Sequence, residues 1–418
     1  MDVIRTFKME NRYNVRSLNR RIFYIGFARF IRSTGRSSTF IFLPLVFIEF
    51  YHLSFIISGT LLGFATLIMA FVQLYSGRLT DVLGRRFFMI LVPLPNIVFY
   101  FLMFLAVLRH LSVYLLIGSW YSSVMINALQ FPALQAAVAD LSSPEDRLSA
   151  FTTVRIMVNI GTAVGPLIGG FLSGIGFEYI FLVASITTLI EIYTLYRAVP
   201  ETMIKDTESI SVTNSKDLKK TLGNRFFLSF VAIGILFMFF YRQSGISLSI
   251  YAIVLTKLPL VDLGYLYALN GILVVLLQFR ILKLMTSRYS AMVWRGVGVI
   301  FYSAAFLILS ISPVFSLIVL FMVVSTIGEN FTSPTTQTIV TSIAPANLRG
   351  TYIGAYSFYT SFGSFAGSIL GLLMLSYLRG ITASFWIIIS SGTMFVAIMY
   401  FLLDRVRNKE LTNVKIQA

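Results

Sequence analysis

The sequence predicts an all-α integral membrane protein with twelve transmembrane helices in two homologous six-helix bundles. Three observations support this fold class: the apolar composition, the spacing of long apolar runs, and a repeat between the two halves. Of the 418 residues, 57% are hydrophobic and only 12% are charged, whereas soluble domains carry about 25% charged residues. A helix needs about 20 mainly apolar residues to cross the hydrocarbon layer, so the composition suffices for about twelve crossings. It excludes an ordinary soluble enzyme.

The apolar runs are bounded by charged residues, proline or glycine, and each is long enough to cross a membrane once. We place the spans at residues 21–50, 54–77, 87–108, 111–140, 149–173, 178–197, 226–255, 262–283, 290–311, 313–343, 350–377 and 382–404. They form an N-terminal bundle over 21–197 and a C-terminal bundle over 226–404. Residues 1–20 are a basic N-terminus, residues 198–225 a polar linker, and residues 405–418 a tail.

The basic residues predict the orientation of the chain. A net charge of +16 would suggest nucleic-acid binding in a soluble protein. Here most Lys and Arg residues lie in the termini and in the even-numbered connections between spans, and we count Arg295 among them. The odd-numbered connections hold three basic residues, Arg109, Lys257 and Arg379. Basic loops stay on the cytoplasmic side. We therefore expect both termini in the cytoplasm, a multi-pass protein of the cell membrane among its lipids, and no nucleic-acid partner.

The two halves of the chain repeat one another. Residues 131–147 align without a gap with residues 333–349, and the same offset pairs Gly161 with Gly363. Two parallel repeats joined by a cytoplasmic linker are typical of transporters built from homologous bundles around a site at the bilayer midplane.

The connection between the second and third spans contains GRLTDVLGRR at residues 77–86. An ordinary basic loop explains its arginines but not the spacing of its Gly and Asp residues. The motif resembles the G-x-L-x-D-x-x-G-R-R/K of the major facilitator superfamily, which implies the twelve-helix fold of that family. In the family these charges latch the outward-facing state together with an acidic residue that ends the fourth helix. The residues that match the latch are Gly77, Asp81, Gly84, Arg85, Arg86, Asp140 and Arg147. The second-half loop lacks the acidic residue, so we expect a latch in the first half alone.

The fifth span contains GTAVGPLIGG at residues 161–170. Gly161, Gly165 and Gly169 share one face that lets a partner helix approach closely, and Pro166 is expected to kink the helix. With Gly170, the string is also similar to the G-x-x-x-G-P-x-x-G-G motif of the drug:proton antiporter branch of the superfamily. The resemblance implies export by exchange rather than uptake.

Charged side chains in the middle of a span cost roughly 2.5–3.5 kcal/mol each, so the few that occur are candidate functional residues. Arg29, Arg32 and Arg36 share one face of the first span, and the repeat relates Arg36 to Arg242. In the superfamily the helices concerned surround a central cavity. The resemblance therefore predicts a substrate cavity lined by Arg29, Arg32, Arg36, Asn127, Arg155, Asn159, Arg242, Gln243 and Glu329.

Structural interpretations of the same residues stay open. Arg29 and Arg155 lie near span ends, where long side chains reach back to water. For Arg36, Arg242 and Glu329 the alternative to a substrate site is a buried structural ion pair.

Glu329 is the candidate for proton coupling, because it is the deeply placed carboxylate on a cavity helix and its protonation depends on its surroundings. The first span lacks the embedded acid, and the fourth span the arginine, that many antiporters of the superfamily carry. We interpret Glu191 of the sixth span as a structural residue with Arg197 nearby. Tyr352, Tyr356 and Tyr359 form an aromatic stripe on the eleventh span that contacts substrate or serves in packing.

Two functional hypotheses follow. The first is a secondary active transporter that exports amphipathic compounds in exchange for protons by alternating access. The second is an organic-anion or organophosphate carrier that uses the cavity arginines. The sequence has no cysteine and no pattern typical of a nucleophile–base pair or metal cluster, so we expect no enzymatic activity, catalytic residue, metal or cofactor. The expected partners are a small-molecule substrate and protons, and we expect the protein to act as a monomer.

Overall fold

A computed structural model describes residues 18–143, 146–202, 221–285, 289–345 and 348–417. These ranges are almost entirely helical, and no β-strand occurs in them. The described part of the chain contains twelve long helices: α1 (Arg20–Phe40), α2 (Phe55–Leu83), α3 (Leu94–Leu108), α4 (Val113–Asp140), α5 (Arg147–Ile175), α6 (Glu178–Ala198), α7 (Arg225–Tyr241), α8 (Leu260–Leu284), α9 (Ala291–Leu309), α10 (Phe315–Ile343), α11 (Arg349–Tyr377) and α12 (Thr382–Gln417). The predicted all-α fold class is confirmed.

Three of the predicted spans include further helical segments. After α1 the chain continues through Leu43–Leu45 into a π-helical turn at Val46–Phe50. After α7 it continues through two short helical segments into a π-helical turn at Tyr251–Leu255. These two turns stand at corresponding positions of the two halves, and a third π-helical turn, Phe87–Leu91, precedes α3. The sequence repeat therefore extends to an irregular detail of the backbone.

Among the described residues, ten helical stretches are long and apolar enough to cross a membrane. The two long helices not among them are α1 and α4. Helix α1 carries five arginines, and α4 contains Asn127, Gln130 and several serines along its length. In a bilayer such polar groups need partners inside the protein, and the contacts described below supply them.

The internal contacts divide the described chain into two compact units. The first unit contains residues 18–40 and 75–202, and the second contains residues 41–74 and 221–417. Helix α2 therefore contributes to both. Most of the predicted linker lies outside the described residues, so the predicted domain boundaries stay a prediction.

In the first unit, α1 packs closely against α5 through the glycine motif. A Cβ added at Gly161 would collide with the backbone oxygen of Phe30, and one at Gly165 would collide with the Ser37 hydroxyl. The Ser33 hydroxyl donates a hydrogen bond of 3.0 Å to the backbone oxygen of Val158. The motif thus brings the two helix backbones together, as small residues do in membrane proteins.

The second unit repeats this packing with different residues. A Cβ at Gly363 of α11 would collide with the backbone oxygen of Ile235 in α7, and one at Gly367 would lie 2.6 Å from the backbone oxygen of Phe239. Because the contacts between α11 and α7 correspond to those between α5 and α1, the glycines that the repeat aligns serve the same purpose in both halves.

The assignment of Arg295 to a connecting loop is wrong. Arg295 lies inside α9 and is only 1% exposed. Its guanidinium donates hydrogen bonds of 3.0 Å to the Thr332 backbone oxygen and 3.1 Å to the Tyr356 hydroxyl. Aromatic rings surround it, with centroids 5.0–5.5 Å away, at Phe230, Phe237 and Tyr400. Cation–π contacts and neutral acceptors therefore replace water around this charge, and Tyr356 serves in packing.

We expect Gly165→Ala to lower the stability of the protein by roughly 1–3 kcal/mol, because the added methyl group would force α1 and α5 apart. The measurement is the thermal unfolding midpoint of the detergent-purified protein. Gly118→Ala is the matched control, since no atom lies within 4 Å of the Cβ position at Gly118. Equal midpoints for the two variants would contradict the proposed close packing.

Candidate functional site

A buried polar cluster in the first unit surrounds Arg32. We call it the Arg32 cluster; its members are Arg29, Arg32, Tyr100, Asn127, Thr188 and Glu191. The side chains of Arg32 and Glu191 are 2% and 0% exposed, and Arg32 Nε lies 3.4 Å from Glu191 Oε2. Arg29, which is 17% exposed, approaches the other oxygen of the same carboxylate, with Nη1 at 3.8 Å from Oε1. Two guanidinium groups therefore share one buried carboxylate.

The remaining nitrogens of Arg32 bind neutral groups. One donates a hydrogen bond to the Thr188 hydroxyl of α6, and the other donates to the side-chain oxygen of Asn127 in α4. The guanidinium carbon lies 5.2 Å from the centroid of the Tyr100 ring in α3. Asn127 also accepts a hydrogen bond of 3.4 Å from Asn96. The Arg32 cluster thus joins α1, α3, α4 and α6.

The interpretation of Glu191 as paired near Arg197 missed its partners, which are Arg29 and Arg32. The positions of these residues along their helices could have predicted the pairing. Arg29 lies nine residues after the start of α1, and Glu191 lies seven residues before the end of α6. These distances correspond to about 13 Å and 10 Å of helix. Because the start of α1 and the end of α6 face the same side of a membrane in the predicted topology, the charges lie at similar depths.

The other predicted cavity residues of the first unit are more accessible. Arg36 is exposed and lies about one turn beyond Arg32 on the same helix face. Arg155 is exposed, and Asn159 is half-buried. Asn127 contacts Arg32. Their roles in a substrate cavity stay predictions.

In the second unit, Glu329 is half-buried on α10. The Asn270 amide of α8 donates a hydrogen bond of 3.1 Å to Glu329 Oε2 and another of 2.8 Å to the Thr326 hydroxyl. Glu329 also interacts electrostatically with Tyr241 and Tyr302, whose rings meet edge to face at 5.5 Å. We call Asn270, Thr326, Glu329, Tyr241 and Tyr302 the Glu329 cluster. Sequence reasoning missed Asn270, since a single amide in an apolar span is not a distinctive pattern.

Arg242 and Gln243 lie where α7 ends in a tight turn. Arg242 Nε donates a hydrogen bond of 3.0 Å to the Ser368 hydroxyl. Gln243 is fully buried. Its amide donates a hydrogen bond of 2.9 Å to the Gly367 backbone oxygen, and its side-chain oxygen accepts one of 2.6 Å from the Ser247 hydroxyl. In this structure Gln243 therefore holds the end of α7 against α11.

The predicted latch residues of the first half partly come together. Arg85 Nε lies 3.3 Å from Asp140 Oδ2 at the end of α4, as the resemblance implies. Arg147 begins α5 and is exposed. The side chain of Asp81 and the surroundings of Gly77 lie outside what the structure describes.

Glu201 is a further member of this region that the sequence did not reveal. Its carboxylate accepts hydrogen bonds of 3.1 Å and 3.0 Å from the backbone N–H groups of Arg85 and Arg86. Gly84 has a φ of +93°, and a Cβ there would lie 2.8 Å from the Glu201 carboxylate. Glycine is therefore required at this position both for its backbone conformation and for the approach of Glu201.

Comparisons with known proteins agree with this architecture. A family model described as Major Facilitator Superfamily matches residues 25–368 and 297–416. A Na(+), Li(+), K(+)/H(+) antiporter of Planococcus maritimus is 26% identical over 80% of this chain and 84% of its own length. An uncharacterized MFS-type transporter of Bacillus subtilis is 29% identical over 60% of this chain and 63% of its own length. Multidrug resistance protein 2 of Bacillus subtilis is 26% identical, and the match covers 45% of this chain and 47% of that protein.

Among solved structures, a transporter of the POT family in complex with a thioalcohol-conjugated peptide has a TM-score of 0.79. The match covers 94% of this chain and 98% of that chain at 14% sequence identity. At this identity the likeness shows the fold. The family model, which covers most of the sequence, shows that the chain belongs to the major facilitator superfamily of membrane transporters.

Proposed function

We propose that this transporter exports amphipathic compounds, most suitably lipophilic cations, in exchange for protons. The observation that carries the proposal is the environment of Glu329. Its carboxylate is half-buried in a membrane helix and is held by the neutral amide of Asn270. A carboxylate in such surroundings can exist in either protonation state, whereas one fixed by a close guanidinium pair stays charged.

The aromatic groups beside Glu329 support the choice of substrate. The ring of Tyr241 stacks on Phe237 at 5.8 Å and meets Tyr302 edge to face. Aromatic faces and a carboxylate together suit a lipophilic cation, which gains cation–π contacts in addition to ionic attraction. The proton and the cation would then compete for the same negative charge, and this competition is the basis of exchange.

Two further observations are consistent with antiport. The glycine motif of α5 resembles that of the drug:proton antiporter branch, and relatives of the chain are named as a cation/proton antiporter and a multidrug resistance protein. The distribution of basic residues supports both termini in the cytoplasm and a location in the cell membrane. We further propose that one chain suffices for transport.

An organic-anion carrier is the second candidate, and the exposed guanidinium of Arg36 favours it. Arg29 and Arg32 support this candidate less, because they already share the Glu191 carboxylate. The anion hypothesis therefore depends on Arg36, Arg155 and Arg242.

We also propose that Arg85 and Asp140 act as a latch of one transport state. The two groups form an ion pair at the loop that carries the family motif. Glu201 supports the latch by binding the backbone of Arg85 and Arg86.

In proteoliposomes with an imposed pH gradient, we expect ethidium to be transported against proton flow, and Glu329→Gln to reduce this transport to the level of empty liposomes. The glutamine amide retains the shape of the side chain but cannot bind and release a proton. Glu49→Gln is the matched control, because Glu49 is exposed and lies outside the Glu329 cluster. Unaltered proton-driven transport by Glu329→Gln would refute the role of this carboxylate.

A thermal-stability assay separates the two candidate functions. We expect phosphate and citrate to leave the unfolding midpoint of the purified protein unchanged, because a ligand that does not bind does not stabilise the native state. A rise that is lost in Arg36→Gln but retained in Arg379→Gln, whose arginine is exposed in a predicted loop, would favour the anion carrier instead.

A double-mutant cycle tests the ion pair of the latch. We expect Arg85→Gln and Asp140→Asn to be coupled by about 0.5–1 kcal/mol in the free energy of unfolding, because the pair is partly shielded from water. The single and double variants are compared by thermal unfolding in detergent. Additive effects would show that the two charges do not stabilise one another.

A further inference from the structure

We propose that Glu191 is a second proton-binding site of this transporter, buried in the first unit and separate from the Glu329 cluster. The carboxylate would take up one proton from water and release it again during the transport cycle. The role in transport rests on the proposed proton coupling, whereas the existence of the site does not. Its support is the geometry of the Arg32 cluster.

The ion pairs of Glu191 are long. The distances of 3.4 Å and 3.8 Å to the two arginines exceed the 2.7–2.9 Å or so of a charge-assisted hydrogen bond. The Gln130 side chain also interacts with the carboxylate, but no hydrogen bond of ordinary geometry reaches either oxygen of Glu191. A buried salt bridge stabilises a protein only when its geometry is good and hydrogen bonds satisfy the remaining atoms. The cluster therefore lacks the features of a purely structural ion pair.

Arg32 does not need Glu191 to be charged. Its two terminal nitrogens donate to Asn127 and Thr188, and its face lies over Tyr100. These neutral partners remain when the carboxylate is protonated. Protonation of Glu191 therefore breaks no hydrogen bond of the arginine, and the cluster can change charge without rearranging its helices.

Some buried acceptor atoms of this region have no hydrogen bond of ordinary geometry. They are both oxygens of Glu191 and the side-chain oxygen of Asn96. Asn96 belongs to the same network, because its amide nitrogen donates to Asn127. Protonation of Glu191 replaces one buried acceptor of this region by a hydrogen-bond donor.

The charged groups around Glu191 set the conditions for this exchange. Arg29 and Arg32 of α1 face the carboxylate directly, and Gln130 of α4 lies near it. Arg36 and Tyr100 interact with these two arginines. The arginines favour the charged carboxylate, while burial in the apolar helix bundle favours the neutral acid. Because these two effects oppose one another, a charge that arrives nearby can shift the balance. Arg29, at 17% exposed, is the more accessible of the two arginines.

The site can be tested without transport. Infrared difference spectra of the reconstituted protein between acidic and alkaline buffer should contain the carbonyl band of a protonated buried carboxyl group. We expect the band of Glu191 to be lost in Glu191→Gln and retained in Glu329→Gln and Glu49→Gln. Glu329→Gln should lose only the separate contribution of Glu329. If the yield of folded Glu191→Gln is too low for spectroscopy, Arg29→Gln/Glu191→Gln, which keeps the net charge of the Arg32 cluster, serves instead.

Spectra of the Glu191 variant that superimpose on the wild type would overturn the proposal and make Glu191 a structural ion pair. Proton release links the site to transport: tetraphenylphosphonium added to weakly buffered protein should release fewer protons from the Glu191 variant than from the wild type. If ethidium export proves independent of the pH gradient while the infrared band still depends on Glu191, the proposed function fails and the proton site stands.

Discussion

Arginine side chains inside apolar helices need partners from the protein, because the hydrocarbon of a bilayer provides none. Arg32 meets this need with a carboxylate, an amide, a hydroxyl and an aromatic ring from three neighbouring helices. Arg295 meets it in the second unit with three aromatic rings and neutral acceptors. In each unit one buried guanidinium therefore determines which helices must lie together and which faces they turn inward.

Close helix packing makes these contacts possible. The backbones of α1 and α5, and of α7 and α11, approach one another at glycines where a methyl group would collide. Short separations bring small hydroxyl groups within reach of backbone oxygens on the neighbouring helix, as for Ser33 and Val158. Glycine thus contributes indirectly to these hydrogen bonds, because a larger side chain would keep the polar groups of the two helices apart.

The two units treat their carboxylates differently. Glu329 is held by a neutral amide among tyrosines, whereas Glu191 lies between two arginines at distances too long for strong hydrogen bonds. The contacts of Glu191 are longer than the charge-assisted hydrogen bonds that keep a buried acid ionised. The proton exchange that we propose at Glu191 and at Glu329 would therefore depend on different neighbours in the two units.

The sequence by itself determined the fold class, because membrane crossings depend on the length and apolar character of local segments, and a repeat is visible in one dimension. Its resemblance to the superfamily motif also implied the pair of Arg85 and Asp140. The tertiary structure alone decided that Glu191 joins Arg29 and Arg32, that Glu201 binds the backbone of Arg85 and Arg86, and that Arg295 is buried. These contacts depend on which helices are neighbours and how each is rotated about its axis, and local sequence patterns do not encode either property.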